Sequence, residues 1–411
     1  MYNIFFFLII IIIIFGHVSG LYLDYLNNKM WTDALPDKLS DIIDREKYKK
    51  SQNYYRTNKN FSNISSSFFL IIILLMLFLG GFAWIDGIAR ELSDNRVLVS
   101  IIFFGILFLG FDLMSLPFSW YDTFIIEDKF GFNKTSVKTF FADHLKSWLM
   151  AILIGGPLIA LITWIYYEAG EIFWIYVWVV ITLFSVFMNM FYSELIVPLF
   201  NKQKPLEEGE LRTEIENMAL KAGFKLSDIY TIDGSKRSTK ANAYFAGLGP
   251  KKRIVLFDTL INDLTIEEIT AVLAHEIAHY KKKHSLIMML CGILQTGVML
   301  YIFSLLAGNE KLTDAMGADT GSFHISVFAF SLIYSPVSRV ISLLMNYLSR
   351  KHEYQADSYA GKIYKGTKLI SALKKLSLNN LSNLNPHPAY VFVHYSHPPL
   401  LKRIKNLERV S

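Results

Sequence analysis

The chain has 411 residues, of which 53% are hydrophobic, 15% aromatic and 18% charged, and its apolar residues come in runs of roughly 18 to 25, the length at which a helix crosses a bilayer. That distribution excludes a plain soluble protein and makes this an all-α, multi-pass membrane chain. A net charge of only +6 gives no support to a nucleic-acid partner, and the single cysteine, Cys291, excludes an intramolecular disulfide and a thiolate metal site, leaving His and carboxylate as the available ligands.

Seven apolar runs predict seven spans: Phe5 to Leu23, Phe68 to Ile85, Val97 to Leu116, Trp148 to Tyr167, Ile172 to Tyr192, Ser285 to Ala307 and Phe323 to Leu348. The loops between them differ in charge. The first carries Lys29, Lys38, Arg45, Lys47, Lys49, Lys50, Arg56 and Lys59, the third carries Lys129, Lys134, Lys138 and Lys146, and the fifth loop and the tail are also Lys-rich. The second has Arg90 and Arg96, the fourth has no basic residue and the sixth has Lys311. The positive-inside rule therefore places the odd-numbered loops and the C-terminus in the cytoplasm and the N-terminus outside. A cleaved signal peptide is the alternative for the first run, with small residues over Gly16 to Gly20, but no positive charge precedes it. The sequons at Asn60, Asn63 and Asn133 fall in cytoplasmic loops and are expected to stay bare.

This divides the chain into a membrane region of five spans (1–197), a water-facing part (198–284), spans six and seven (285–348) and a C-terminal part (349–411). Within 198–284, Lys252 to Asp258 reads as a strand, and the tail from Ser349 reads as one or two amphipathic helices ending in a Pro-broken segment. The two water-facing parts are expected to form one domain, mainly helical with a small β element, split by the last two spans.

Ala271 to Tyr280 reads AVLAHEIAHY. On a helix, His275 and His279 stack on one face, where both can ligate one zinc, and Glu276 lies close enough to deprotonate the attacking water. Thr265 with Glu268 predicts a capping box at the helix start, and Lys281 to Lys283 suit its negative end. A catalytic zinc takes three protein ligands. Beyond the last span, RKHEYQAD offers Glu353, with Asp357 one turn later as a group that can accept the outer N–H of a ligating imidazole. Alone this segment is weak, because such an acidic pair is usually a solvated face, and His352 competes for the ligand role.

These residues resemble the integral-membrane zinc metalloproteases of the CaaX prenyl protease type I family. The resemblance runs through HEIAH, EYQAD, PFSWYDTFIIEDKFGFNKT (Pro117 to Thr135), IVPLFNKQKPLEEGEL (Ile196 to Leu211), DGSKRSTKANAYFAG (Asp233 to Gly247) and HYSHPPLLKRI (His394 to Ile404), in order along nearly the whole chain. It implies an endopeptidase whose seven helices enclose a chamber, with one zinc per chain at its cytoplasmic end. It makes His275, His279 and Glu353 the ligands, Glu276 the general base, and Asp357 a proton-donor or orienting residue. It also implies that Asn242 holds the substrate backbone, that His397 faces the scissile carbonyl, and that Arg403 pairs with Glu353 or Asp357. By their residue types alone, Asn242 fits a strand end and His397 a Pro-rich loop.

The short sixth loop and the ending LERVS resemble the compact bacterial form, which favours a bacterial inner membrane, with the endoplasmic reticulum as the alternative for a eukaryotic source. In the bacterial case the chemistry carries over and the prenyl specificity need not. The expected partners are peptide or protein substrates, prenylated or merely membrane-associated, and the lipid bilayer; the chain is expected to act as a monomer. Two other readings compete. One is a quality-control protease that reads no lipid. The other is a non-enzymatic seven-helix transporter or receptor, for which Arg339 inside the last span is the relevant feature.

Overall fold

The computed structural model describes residues 2–32, 35, 39–40, 43–224, 226, 228–247, 253–318 and 322–410. Lys38, and Lys252 at the start of the predicted strand, lie outside them. Seven helices are long and apolar enough to cross a membrane: α1 (Ile4–Asn28), α2 (Arg45–Phe78), α4 (Arg96–Phe130), α5 (Val137–Glu168), α6 (Gly170–Phe200), α10 (His284–Leu306) and α12 (Phe323–Ile363). Large apolar side chains such as Phe15, Ile71, Leu153 and Leu183 are exposed along them, as lipid-facing positions require.

Several boundaries differ from the sequence reading. The second apolar run is not one helix: α2 stops at Phe78, Gly80 takes a left-handed φ of 70°, and Gly81–Leu92 forms a separate amphipathic helix, α3. A residue with a Cβ is strained at that φ, which is why the chain turns at a glycine. The basic first loop is in large part helix, because Asp44 caps α2 by accepting from Lys47 N at 2.8 Å, and the polar segment continues unbroken into the span. Pro117 and Pro336 both lie inside helices rather than ending them, and α4 carries a π-helical stretch, Asp122–Glu127, five residues after its proline. The last span and the EYQAD segment are one helix of 41 residues, so the acidic pair is held rigidly by the membrane region.

Contacts close the spans into a ring: α1 on α2, α4 on α5, α5 on α6, α6 on α10, α10 on α12 and α12 on α1. Between α2 and α4 the ring is completed by Phe69 against Phe111 and Phe118. Inside, α5, α6, α10 and α12 line an apolar cavity of about 550 Å³, with Arg339 at its edge donating to Ser19 Oγ at 3.0 Å. At one end of the ring, Leu39, Ile43 and Tyr48 pack with Leu384, and Asn133 pairs with Ser238, bringing together the first, third and fifth loops and the tail. At the other end, Asn3 Nδ2 donates to Lys311 O at 2.6 Å, Asp86 meets His324 at 2.6 Å, and Arg96 lies over the Tyr167 ring. The ends thus sort the loops as their basic charge does.

The water-facing part contains α7 (Glu210–Lys221), α8 (Asp258–Asp263), α9 (Ile266–Lys281) and a four-stranded sheet. Its strands are β1 (Gln203–Pro205), β2 (Asp228–Ile232), β3 (Ala243–Ala246) and β4 (Arg253–Phe257), in the order β1-β2-β4-β3, with only the β2–β4 pair parallel. β3 is therefore an edge. Between α10 and α12 lies the short α11 (Glu310–Asp314), and after α12 come α13 (Gly366–Asn379), α14 (Pro388–His394) and α15 (Leu400–Glu408), more pieces than the one or two helices expected of the tail. Ile215, Met218, Leu256, Leu273, Ile277, Ala360, Leu369 and Leu407 share one core, so segments before and after the last two spans bury the same apolar surface. Each large aliphatic side chain buried there is worth about 1.5–3 kcal/mol.

Candidate metal centre

Helix α9 begins with the predicted capping box: Thr265 Oγ1 accepts from Glu268 N at 3.3 Å, and Glu268 Oε2 accepts from Thr265 N at 2.9 Å. Glu268 also accepts from Ser371 Oγ at 2.6 Å and Lys375 Nζ at 2.7 Å, which ties α9 to α13. Ala271, Ala274 and Ala278 on α9 and Ala356 and Ala360 on α12 are buried, and α9 packs against α12 more extensively than any other pair of elements. Small residues let the two helix backbones approach, and the approach brings Glu353 opposite the two histidines.

His275 Nε2 and His279 Nε2 lie 3.1 Å apart, His279 Nε2 is 3.2 Å from Glu353 Oε1, and His275 Nε2 is 3.5 Å from Glu353 Oε2. Ligand atoms about 2.0–2.1 Å from a tetrahedral ion stand about 3.3–3.4 Å from one another, so this triangle fits a single small divalent metal. Two nitrogens of neighbouring rings point at each other across it, and the buried Glu353 Oε2 has no hydrogen-bond donor among the described residues. Its neighbours, Arg403 Nη1 at 3.4 Å and His275 Nε2 at 3.5 Å, are both longer than a good hydrogen bond, which leaves room for a cation to complete it. The donor set of two imidazoles and one carboxylate suits a borderline metal ion.

Behind His275, Asp357 is fully buried with Oδ1 2.9 Å from Nδ1, and Arg403 grips the same carboxylate from Nη2 at 2.6 Å and Nε at 3.0 Å. Arg403 Nη1 also stands 3.4 Å from Glu353 Oε2, so the guanidinium serves both carboxylates rather than one. Burial disfavours the charged His275 imidazolium, but hydrogen bonds to Asp357 and Glu353 outweigh it and raise its pKa to about 9. A metal held there would have to displace a proton, so apparent metal affinity is expected to rise with pH through the neutral range, as metal titrations at several pH values would show.

Sequence reasoning missed the support behind His279. Lys283, at φ 59°, reverses the chain between α9 and α10 and returns His284 onto His279. The two Nδ1 atoms are 3.1 Å apart, and His284 Nε2 lies 2.9 Å from Gln355 Oε1. A carbonyl oxygen only accepts, so His284 is protonated on Nε2 and takes the proton of His279 at its own Nδ1. In that tautomer the ring of His279 is oriented with Nε2 toward Glu353. His352, the competing ligand candidate, stacks on His284 with ring centroids 4.0 Å apart, and the described residues that converge as metal ligands are His275, His279 and Glu353. His279 and His284 are five residues apart, a spacing that no helical face shares, so nothing in the sequence flagged the pair.

The remaining site candidates line one cleft of about 620 Å³: Asn242, Glu276, His397 and Arg403, beside the three convergent residues and an apolar wall from α13. Asn242 immediately precedes β3, its carbonyl accepting from Phe257 N at 3.1 Å. His397 is 64% exposed and its Nε2 stands 3.4 Å from Glu353 Oε1. The loop leading to Asn242 is clamped to the membrane region. Lys240 Nζ reaches Glu127 Oε2 at 2.8 Å and Tyr54 OH at 2.7 Å, and Arg237 binds Asp143 in a fork at 2.8 and 2.9 Å. Two of the segments that carry the family resemblance therefore hold each other.

Residues 24–202 match the family model described as CAAX prenyl protease N-terminal, five membrane helices, and residues 205–411 match peptidase family M48. CAAX prenyl protease 1 of Saccharomyces cerevisiae is 37% identical over 95% of this chain and 92% of its own length. The chain belongs to the M48 CAAX prenyl protease family. The Homo sapiens CAAX prenyl protease 1 homolog is 32% identical over 92% of this chain and 90% of its own. The crystal structure of S. mikatae Ste24p superposes with a TM-score of 0.93 at 37% identity, covering 98% of this chain and 99% of that one. Membership makes the chain a multi-pass membrane metallopeptidase and sets aside the transporter reading. Nor does its length separate it from the eukaryotic members, contrary to what the short sixth loop suggested.

Proposed function

We propose that this chain is a zinc endopeptidase that cuts near the C-terminus of prenylated CaaX-type or other membrane-associated substrates, acting as a monomer with its cleft toward the cytoplasm. The observation that carries the reading is the triangle of His275, His279 and Glu353 in a cleft also lined by β3, the last strand of the sheet among the described residues. An extended peptide adds to such an edge through main-chain hydrogen bonds, and Asn242 at its start is the residue we assign to holding the substrate backbone.

His275, His279 and Glu353 would hold the metal, which when bound acts as a Lewis acid toward water and the scissile carbonyl. Glu276 takes the proton of the attacking water and passes it to the leaving amine. Asp357 fixes the ring of His275, and Arg403 balances the charge of Asp357 and Glu353. His397 donates to the oxygen of the developing tetrahedral centre. The relatives named above are eukaryotic, which favours the endoplasmic reticulum over a bacterial inner membrane.

The test is cleavage of matched prenylated and unprenylated peptides by purified protein and by its Glu276→Gln variant. Prenyl-dependent cleavage supports CaaX processing; equal cleavage of both would assign the chain to quality control without lipid recognition. His397→Ala is expected to lower kcat and kcat/KM alike by about 10²- to 10³-fold with zinc content unchanged. Loss of zinc in that variant would make His397 a ligand or a support instead. Reporter fusions at Lys50, Lys204 and the C-terminus are expected to read cytoplasm, and one at Asp314 the opposite side. An external reading at Lys50 would overturn the orientation.

A further inference from the structure

On the face of α12 that turns away from the metal centre, Lys351, Gln355, Ser358 and Lys362 recur at intervals of four, three and four residues and so form one stripe. With Lys282 from the end of α9, and with Tyr354 and Tyr359, they line a cleft of about 360 Å³. Among the described residues none of the three ammonium groups pairs with a carboxylate, in contrast to Lys365, Lys368 and Lys375, which bind Glu267 and Glu268. The cleft sits where two spans end: the apolar run of α12 stops at Leu348 and that of α10 starts at Ser285. Lys351 is about 4–5 Å along the helix from the last apolar residue, at headgroup depth, and the stripe runs on from there about 16 Å away from the bilayer to Lys362.

We propose that this cleft binds the phosphate-bearing headgroup of an anionic lipid and that occupancy is felt at the metal centre. Three ammonium groups with no carboxylate partner among the described residues, lining one cleft, suit a phosphate, and a juxtamembrane position favours one carried by a lipid; the Ser358 hydroxyl is engaged with Tyr354 O at 2.8 Å. The link is Gln355. Its Oε1 is taken by His284 Nε2, the group that orients His279, so its NH2 group is the donor left for an anion in the cleft. A phosphate that holds Gln355 in this rotamer also holds the hydrogen-bond relay that keeps His279 Nε2 directed at Glu353. This second half rests on the metal-site reading above; the binding half does not.

The full chain in a neutral detergent would be titrated calorimetrically with dihexanoyl phosphatidic acid, dihexanoyl phosphatidylcholine and inorganic phosphate. Phosphatidic acid is expected to bind in a salt-sensitive way, and phosphatidylcholine not to. At about fivefold per lysine, the triple variant Lys282→Gln/Lys351→Gln/Lys362→Gln is expected to bind it about 10²-fold more weakly. Binding unchanged in the triple variant, or inorganic phosphate binding as tightly as the lipid, would overturn the lipid site. Stripping the metal with a chelator is expected to weaken phosphatidic acid binding by the same factor, about fivefold or more, by which the lipid tightens metal in a chelator competition. Gln355→Leu removes one donor but none of the three ammonium groups, so it is expected to weaken lipid binding less than the triple variant does and to lose that reciprocity. Reciprocity absent from the unmodified chain, or retained in Gln355→Leu, would overturn the coupling while leaving the protease reading untouched.

Discussion

Glu276→Gln is expected to abolish most peptide cleavage while leaving the fold and the metal in place. Glu276 follows the first histidine on α9, lines the cleft, and lies outside the group of residues that converge as ligands. Gln has the same shape and can accept a hydrogen bond, but it cannot carry a proton from water to the leaving amine. General acid–base catalysis is worth about 10²- to 10⁴-fold, and the loss should fall in that range in kcat and in kcat/KM together. Zinc content by elemental analysis, run on the same preparation, checks the assignment. If the metal leaves with the activity, Glu276 is a ligand or supports one, and the base must be sought elsewhere in the cleft.

An effect of comparable size is expected from Glu353→Ala, by a different route. The carboxylate closes the ligand triangle, and Arg403 Nη1 stands 3.4 Å from its Oε2. Removing it leaves two imidazoles to hold the ion, while the buried guanidinium keeps only Asp357 as its carboxylate partner in the site. Zinc should be lost on dialysis and activity with it, because two protein ligands hold the ion poorly. Thermal unfolding measured with and without added zinc separates the two costs. The unmodified chain should gain stability from the metal and the variant should not. A Glu353→Ala variant that retains stoichiometric zinc would remove Glu353 from the ligand set, and His352, stacked on His284, would have to move to replace it.

Both predictions stand on residues that are legible in the sequence, for a reason of length scale. A run of apolar residues long enough to span a bilayer is a property of consecutive positions, so the seven spans could be counted without a fold. The i,i+4 spacing of His275 and His279 puts two imidazoles on one helical face wherever the helix goes, and the capping box at Thr265 and Glu268 is likewise local. Glu353 and Asp357 were within reach for the same reason, one turn apart on a single helix, although only the family resemblance tied them to α9. The choice between Glu353 and His352 was not local. These neighbours point to different sides of α12, and it is the packing of α12 on α9 that turns Glu353 toward the two histidines and leaves His352 on His284. Nor was the relay through His284 and Gln355 visible, since it depends on the left-handed turn at Lys283 and on two helices meeting. The break at Gly80, the position of β3 at the sheet edge, and the clamp from Lys240 and Arg237 to α2, α4 and α5 were likewise decided in three dimensions. Each depends on which distant segment lies alongside, and an apolar or charged pattern within one segment carries no record of its neighbour.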